Sequence, residues 1–309
     1  KTNSPTEVSG FEMTGLIRHE TVEEVNLTAG DAGTTLLIDG TLPYSVTNVW
    51  AGDGPDVINV RRTGGAVNFQ LQSGDDFVNI GSEAPAIDST LNQIGDLISV
   101  DGGAGLDVLN LDDTSDVQAN NGTVTNASIT GLGMGQGVSY SELESLEISL
   151  GQGDDSVSVT GAMVGGDIPA VSALNTGGGA DKVIVELALD VDGVFALNAQ
   201  SGEDDIDASK STAPLVIFGG ADADSILSGK GPDLLIGDRG VVDYRDEQGQ
   251  LIRRLGIGLE ERTVYDAGKA ENKLDVPSQQ TASRSFAMRA IEIRDLQIGG
   301  NDTISGGDG

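Results

Sequence analysis

The sequence predicts an all-β fold, a parallel β-helix or β-roll solenoid with stacked Gly/Asp turns and one irregular β insertion. Three observations lead to this prediction. A short Gly/Asp unit recurs along the chain, alternating apolar residues follow the unit, and the composition is acidic with few aromatic side chains. The 309 residues include 45 glycines and 49 acidic residues against 17 basic ones, a formal net charge of -32. Such charge opposes compaction unless cations lie near the carboxylates.

The recurring unit is one or two glycines, then an aspartate, then alternating apolar residues. Internal repeats of this kind indicate a solenoid, in which each repeat stacks on the next. The intervals between copies range from 9 to 69 residues, which predicts coils that carry loops of variable length. Aligned on their last aspartate, nine copies place these residues at one position: Asp56, Asp76, Asp107, Asp155, Asp181, Asp205, Asp224, Asp233 and Asp302.

Each unit reads as a turn followed by a strand. Glycine permits the positive φ of a tight turn, and aspartate tolerates turns while supplying a carboxylate. The apolar residues after it alternate at period two, as strands do. Second apolar runs at 66–71 and 194–199 predict at least two strands in each coil. Residues 141–150 predict a strand entering the turn at Gly151, with a short helical turn as the alternative.

Residues 239–298 differ in charge from the rest of the chain. They contain ten of the 17 basic residues and ten acidic ones. A β-hairpin over 241–255 and a strand over 290–298 are predicted here. We therefore divide the chain into a β-solenoid that contains the Gly/Asp turns (1–238), a charge-balanced β insertion (239–298) and the start of a further repeat (299–309). The insertion is the candidate for contact with a neighbouring module or subunit.

The Gly/Asp turns supply the oxygen ligands that Ca²⁺ prefers. Ca²⁺ takes six to eight oxygens from carboxylates and carbonyls. A glycine-rich turn exposes carbonyls, its aspartate adds a carboxylate, and stacked turns face each other about 4.8 Å apart. The simpler interpretation is that Gly and Asp are only good turn formers. Nine copies in so acidic a chain favour calcium, because clustered carboxylates repel one another.

The units resemble the RTX, or hemolysin-type, calcium-binding repeat. Residues 102–110 (GGAGLDVLN) match its G-G-x-G-x-D-x-U-x form, and residues 229–237 match except at Lys230. The resemblance implies that the nine aligned aspartates bind several Ca²⁺ ions between coils. Only the step from Asp224 to Asp233 has the nine-residue period, so a wider β-helix with calcium on one edge is predicted. Neighbouring carboxylates are secondary candidate ligands: Asp53, Asp75, Asp154, Asp204 and Asp222.

These features predict a structural or adhesive module of a large secreted or cell-surface protein that folds and stiffens on binding Ca²⁺. Its expected partners are neighbouring modules of the same long chain, with a homo-oligomer, a surface filament or a glycan left open. The charge argues against nucleic acid and anionic membranes. No apolar run of 18 residues exists, so no membrane span is predicted.

Catalytic residues are not apparent. The chain has no cysteine and one histidine, His19, so a Ser-His or Cys-His nucleophile has no visible partners. Carboxylate pairs are abundant, which keeps open the alternative of a polysaccharide-acting enzyme, a lyase, epimerase or glycosidase on a parallel β-helix.

Overall fold

The computed structural model is all-β and stacks its strands into a solenoid, as predicted. It describes strands at 6–9 and 17–19, residues 21–165 and 170–245, strands at 251–255 and 287–293, and residues 301–306. Within these residues every regular element is a strand. None of them belongs to a helix of the length and hydrophobicity that a bilayer crossing requires.

Three sheets contain the 26 strands of the described residues. The first sheet consists of β1 (Thr6–Ser9), β2 (Ile17–His19), β4 (Thr35–Ile38), β6 (Val57–Val60), β8 (Phe77–Ile80), β10 (Val108–Asp112), β14 (Ser145–Ser149), β16 (Val171–Asn175), β18 (Val194–Asn198), β20 (Leu215–Gly220) and β22 (Leu234–Asp238). The second sheet consists of β3 (Glu24–Thr28), β5 (Val46–Trp50), β7 (Ala66–Gln70), β9 (Ile98–Asp101), β11 (Asn121–Val124), β12 (Ser128–Gly131), β13 (Val138–Ser141), β15 (Ser156–Val159), β17 (Lys182–Val185), β19 (Asp205–Asp207), β21 (Ser225–Leu227) and β26 (Thr303–Ser305). The third sheet consists of β23 (Gly240–Arg245), β24 (Leu251–Leu255) and β25 (Ala287–Ile293).

One coil of the solenoid holds one strand of each of the first two sheets. The chain alternates between these sheets, and successive strands of one sheet pair in parallel. Because neighbouring residues of a strand point to opposite faces, every second side chain points into the coil. One inward row of the first sheet runs through eight coils, with each member exposed by 2% or less: Ile38, Val60, Ile80, Leu111, Ile148, Leu174, Leu197 and Ile217. The core is therefore a column of stacked aliphatic side chains.

Two antiparallel departures interrupt the parallel order. At the N-terminal end β1 pairs antiparallel with both β2 and β4. In mid-chain the second sheet contains the antiparallel run β11, β12 and β13, and β13 then pairs in parallel with β9. This run lengthens the interval between Asp107 and Asp155.

The third sheet lies between β22 and β26 in the sequence. Strand β23 pairs antiparallel with β24, as the predicted hairpin requires, and also with β25. Val242 of β23 is fully buried in a cluster with Val216 and Phe218, outward residues of the first sheet. The insertion thus packs part of its surface on its own solenoid.

The mid-chain strand predicted over 141–150 forms as β14, with Leu146 and Ile148 buried. The helical alternative is wrong. The predicted strand over 290–298 overlaps β25, and its residues 294–298 lie outside the described part of the chain.

Candidate metal-binding ladders

The acidic turns lie on two edges of the solenoid. At the first edge the chain passes from the second sheet into the first, and at the second edge it passes back. The first ladder, at the first edge, consists of Asp56, Asp76, Asp107 and Glu144. The second ladder, at the second edge, consists of Asp155, Asp181, Asp204, Asp224 and Asp302. The prediction of calcium on one edge is therefore wrong in its placement of the turns.

The first ladder is held by one repeated hydrogen bond. The main-chain N–H of Thr34 donates to Asp56 Oδ1 at 2.6 Å, and that of Asp56 donates to Asp76 Oδ1 at 2.7 Å. Asp76 N–H donates to Asp107 Oδ1 at 3.0 Å, and Asp107 N–H donates to Glu144 Oε2 at 2.9 Å. Each carboxylate therefore accepts from the equivalent residue of the preceding coil.

The second ladder repeats this bond on the other edge. Asn120 N–H donates to Asp155 Oδ1, and the pattern continues through Asp181, Asp204 and Asp224 at 2.7–3.0 Å. The last bond joins Asp224 N–H to Asp302 Oδ1 at 3.1 Å across 78 residues of sequence. The insertion interrupts the ladder in sequence but not in space. At the first edge a further carboxylate, that of Asp233, accepts the N–H of Leu215 in the same way.

The other carboxylate oxygen is the unusual feature of these ladders. Asp56, Asp76, Asp107, Asp181, Asp204 and Asp224 are exposed by 2% or less. The Oδ2 atom of each, and that of Asp233, is buried without a hydrogen-bond partner. A buried acceptor of this kind costs about 1–3 kcal/mol, and more when it carries charge. Seven such atoms in two rows therefore call for a proton, a water or a cation beside them.

Glycine lies directly against this oxygen in three turns. A Cβ on Gly102 would lie 2.9 Å from Asp107 Oδ2, and a Cβ on Gly219 would lie 2.5 Å from Asp224 Oδ2. A Cβ on Gly237 would likewise overlap Asp302 Oδ2. The carbonyl oxygens of Glu142 and Gly237 approach Gly102 and Gly219 from the next coil. Glycine thus lets a carbonyl and a carboxylate oxygen come together at the turn.

Burial makes ionisation of the ladder unfavourable in the absence of a cation. Each carboxyl group leaves water, and its neighbours along the ladder add repulsion, while the accepted N–H bond acts in the opposite sense. Desolvation by burial raises the pKa from 3.8 to about 6 in Asp56, Asp155 and Asp181, to about 7 in Asp76 and Asp224, and to about 8 in Asp107 and Asp204.

The donor set fits a hard cation shared between coils. No three acidic or imidazole side chains of the described residues form a metal centre by themselves. A cation here would take carboxylates from two stacked turns and complete its shell with carbonyl oxygens, the ligands that Ca²⁺ accepts in flexible geometry. The ladder aspartates would hold it through Oδ2, because Oδ1 already accepts a main-chain N–H.

Comparison with known proteins adds no relative to this geometry. The chain matches no protein-family model, no curated protein and no solved structure.

The other predicted ligands lie outside the two rows. Asp53, Asp75, Asp154, Asp205 and Asp222 are exposed. Asp75 Oδ1 accepts Leu106 N–H at 3.0 Å, and Asp154 Oδ1 accepts Ala180 N–H at 2.9 Å, each from the following coil. The alignment on Asp205 is off by one residue, because strand register pairs Asp205 with Lys182 and Ser225. The ladder position belongs to Asp204.

Glu144 is the ladder residue that the Gly/Asp pattern missed. Its turn contains no glycine, and Glu142 takes the left-handed conformation there with φ +51°. A different signal identifies it. Every ladder carboxylate precedes an inward aliphatic residue by two positions, as in Asp204 before Ile206 and Glu144 before Leu146. Alignment on the inward residue finds both Asp204 and Glu144.

In one coil an asparagine takes the place of the ladder carboxylate. Asn120 occupies the second-ladder position before Asp155, and its side-chain amide donates to Asp113 Oδ2 at 3.2 Å and to Asp116 Oδ2 at 3.1 Å. Asn92 donates to Asp116 Oδ2 at 2.9 Å. These two buried carboxylates thus have donors from neutral side chains, in contrast to the ladder Oδ2 atoms.

Proposed function

We propose that this chain is a calcium-binding structural or adhesive module of a large secreted or cell-surface protein. Ca²⁺ binds between coils along both ladders, neutralises the carboxylates and locks the coils into a stiff rod. The observation that carries the proposal is the set of buried, unpartnered Oδ2 atoms on seven aspartates, in one row on each edge. Resemblance of the Gly/Asp units to RTX repeats supports the same ion.

The charge of the chain favours a cation, and not a proton or a water molecule, beside these oxygens. The chain carries a formal charge of -32, and its 17 basic residues leave most of its 49 acidic residues without an opposite charge. At neutral pH, protonation is unfavourable for the three ladder carboxyls whose pKa is raised only to about 6, those of Asp56, Asp155 and Asp181. A divalent cation between two carboxylates removes both the repulsion and the lost hydration at once.

The same chemistry leads us to propose how the chain is exported and assembled. Extracellular calcium modules bind with Kd values of about 10⁻⁴–10⁻³ M, so they load outside the cell and stay empty where calcium is scarce. A rod that stiffens on loading can space other modules of a long chain or contribute to a surface filament. Neighbouring modules and, in an adhesin, a glycan are the partners that this role implies.

We expect calcium to raise the melting temperature and β-sheet content measured by circular dichroism. At 10 mM Ca²⁺, a site with Kd of 10⁻⁴–10⁻³ M contributes about 1.4–2.7 kcal/mol, and several sites add to a large shift. Mg²⁺ at the same concentration should give a much smaller shift, because it keeps its waters and demands octahedral geometry. Identical melting in Ca²⁺, Mg²⁺ and EGTA would rule the proposed function out.

A further inference from the structure

The coil that ends the first ladder has no Gly/Asp unit but reproduces its geometry. Glu144 is 7% exposed, and its Oε2 accepts the N–H of Asp107 as the aspartates do. The N–H groups of Glu144 and Ser145 both donate to the Asp107 carbonyl, at 3.1 and 3.0 Å. A glutamate is thus built into the ladder by the same main-chain bonds that hold the aspartates.

Oxygen atoms of both coils converge beside Asp107. Its Oδ2 is buried without a partner and lies against Gly102. The carbonyl oxygen of Glu142 approaches the same glycine from the following coil. The positive φ of Glu142 belongs to this turn, and Gly102 N–H donates to the Ser141 carbonyl at 3.0 Å. One carboxylate oxygen, one carbonyl and the carboxylate of Glu144 are therefore close together.

This end of the ladder also concentrates negative charge. Asp76, Glu144 and Asp75 repel the Asp107 carboxylate, and Asp75 and Glu142 repel that of Glu144. The ion pairs found among the described residues lie elsewhere in the chain. The local field therefore attracts a cation strongly.

We propose that Asp107 and Glu144 hold a divalent cation of the Ca²⁺ type between their coils, with the carbonyl of Glu142 as a further ligand. The proposal rests on the proposed function, calcium binding by the ladders, and adds a site that no Gly/Asp unit marks. Asp75, exposed and adjacent, acts on this ion through its charge.

The test compares calcium binding by the full chain and its variant Glu144→Gln. The glutamine oxygen still accepts Asp107 N–H, so the metal-free fold should be kept or slightly stabilised, while the ligand charge is lost. Calorimetric titration with CaCl₂ should count one ion fewer per chain than in wild type. The control Glu83→Gln, at an exposed side chain outside both ladders, should bind the full number.

Two further outcomes separate the possible failures. An unchanged ion count and affinity in Glu144→Gln overturns the inference and leaves the proposed function intact, whereas a wild type that binds no Ca²⁺ overturns both. If circular dichroism shows that Glu144→Gln does not fold, the exposed variant Asp75→Asn replaces it. That variant should weaken Ca²⁺ binding at this end of the ladder severalfold without changing the count, and an unaltered titration overturns the inference.

Discussion

The variant Asp204→Asn should be less stable than wild type in saturating Ca²⁺ and equally or more stable in EGTA. Asp204 Oδ1 accepts Asp181 N–H at 2.8 Å, and an asparagine oxygen keeps that bond. What the variant loses is the charge on the buried, unpartnered Oδ2. Loss of an ion held at a hundredfold excess over Kd costs about 2.7 kcal/mol. In EGTA the same change removes repulsion from Asp181 and Asp224.

The adjacent residue supplies a matched control. Asp205 is exposed, and its carboxylate lies 3.7 Å from the Lys182 ammonium, with side chains 60% and 57% exposed. Such a pair is worth about 0–1 kcal/mol, so Asp205→Asn should change unfolding in urea little under either condition. Equal effects of the two substitutions, or a loss of stability at Asp204 that is the same with and without Ca²⁺, would contradict the ladder as a cation site.

The pH dependence of stability should reverse when calcium is added. A carboxyl group whose pKa rises on folding binds more protons in the native than in the unfolded state between the two pKa values. Its contribution is full below about pH 4 and is lost as pH rises through the folded pKa, about 6 to 8 for the ladder aspartates. In EGTA the melting temperature should therefore fall from pH 5 to pH 8.

With Ca²⁺ bound the ionised carboxylates are the stable form, and protons compete with the metal. The melting temperature in 10 mM CaCl₂ should then rise from pH 5 to pH 8. Because several ladder carboxyls shift in the same direction, the melting temperature should change clearly with pH in both media.

Added salt distinguishes the effect of the buried ladder carboxylates on the melting temperature from that of the exposed charges. Repulsion among exposed carboxylates also weakens the protein at high pH, but about 0.5 M NaCl screens it and affects buried groups much less. The reversal should survive at that salt concentration. Parallel pH profiles in EGTA and in Ca²⁺ would contradict the account.

Much of the fold could be predicted because its units are local. A Gly/Asp turn followed by alternating apolar residues specifies a turn and a strand from a few neighbouring residues, and the strands after Asp56, Asp76 and Asp107 form where expected. Stacking in parallel follows, since no unit can bury its apolar face alone.

The placement of the acidic turns could not be predicted, because it depends on how many strands lie between them. Both turns of a coil use the same residues, so the nine-residue step from Asp224 to Asp233 looks like a repeat period although it joins opposite edges. The acidic turns change edge only after the antiparallel excursion, between Glu144 and Asp155. Glu144 lies outside the Gly/Asp pattern because a left-handed glutamate, Glu142, occupies the place of the turn glycine.

Anomalous diffraction from crystals grown in CaCl₂ tests the central claim most directly. The account predicts calcium peaks in two rows, one on each edge, about 2.3–2.6 Å from the ladder carboxylate oxygens. Adjacent peaks should be about one strand spacing, 4.8 Å, apart. Ladder oxygens that contact only protein or water at about 2.7–3.2 Å, with no anomalous signal beside them, would contradict it.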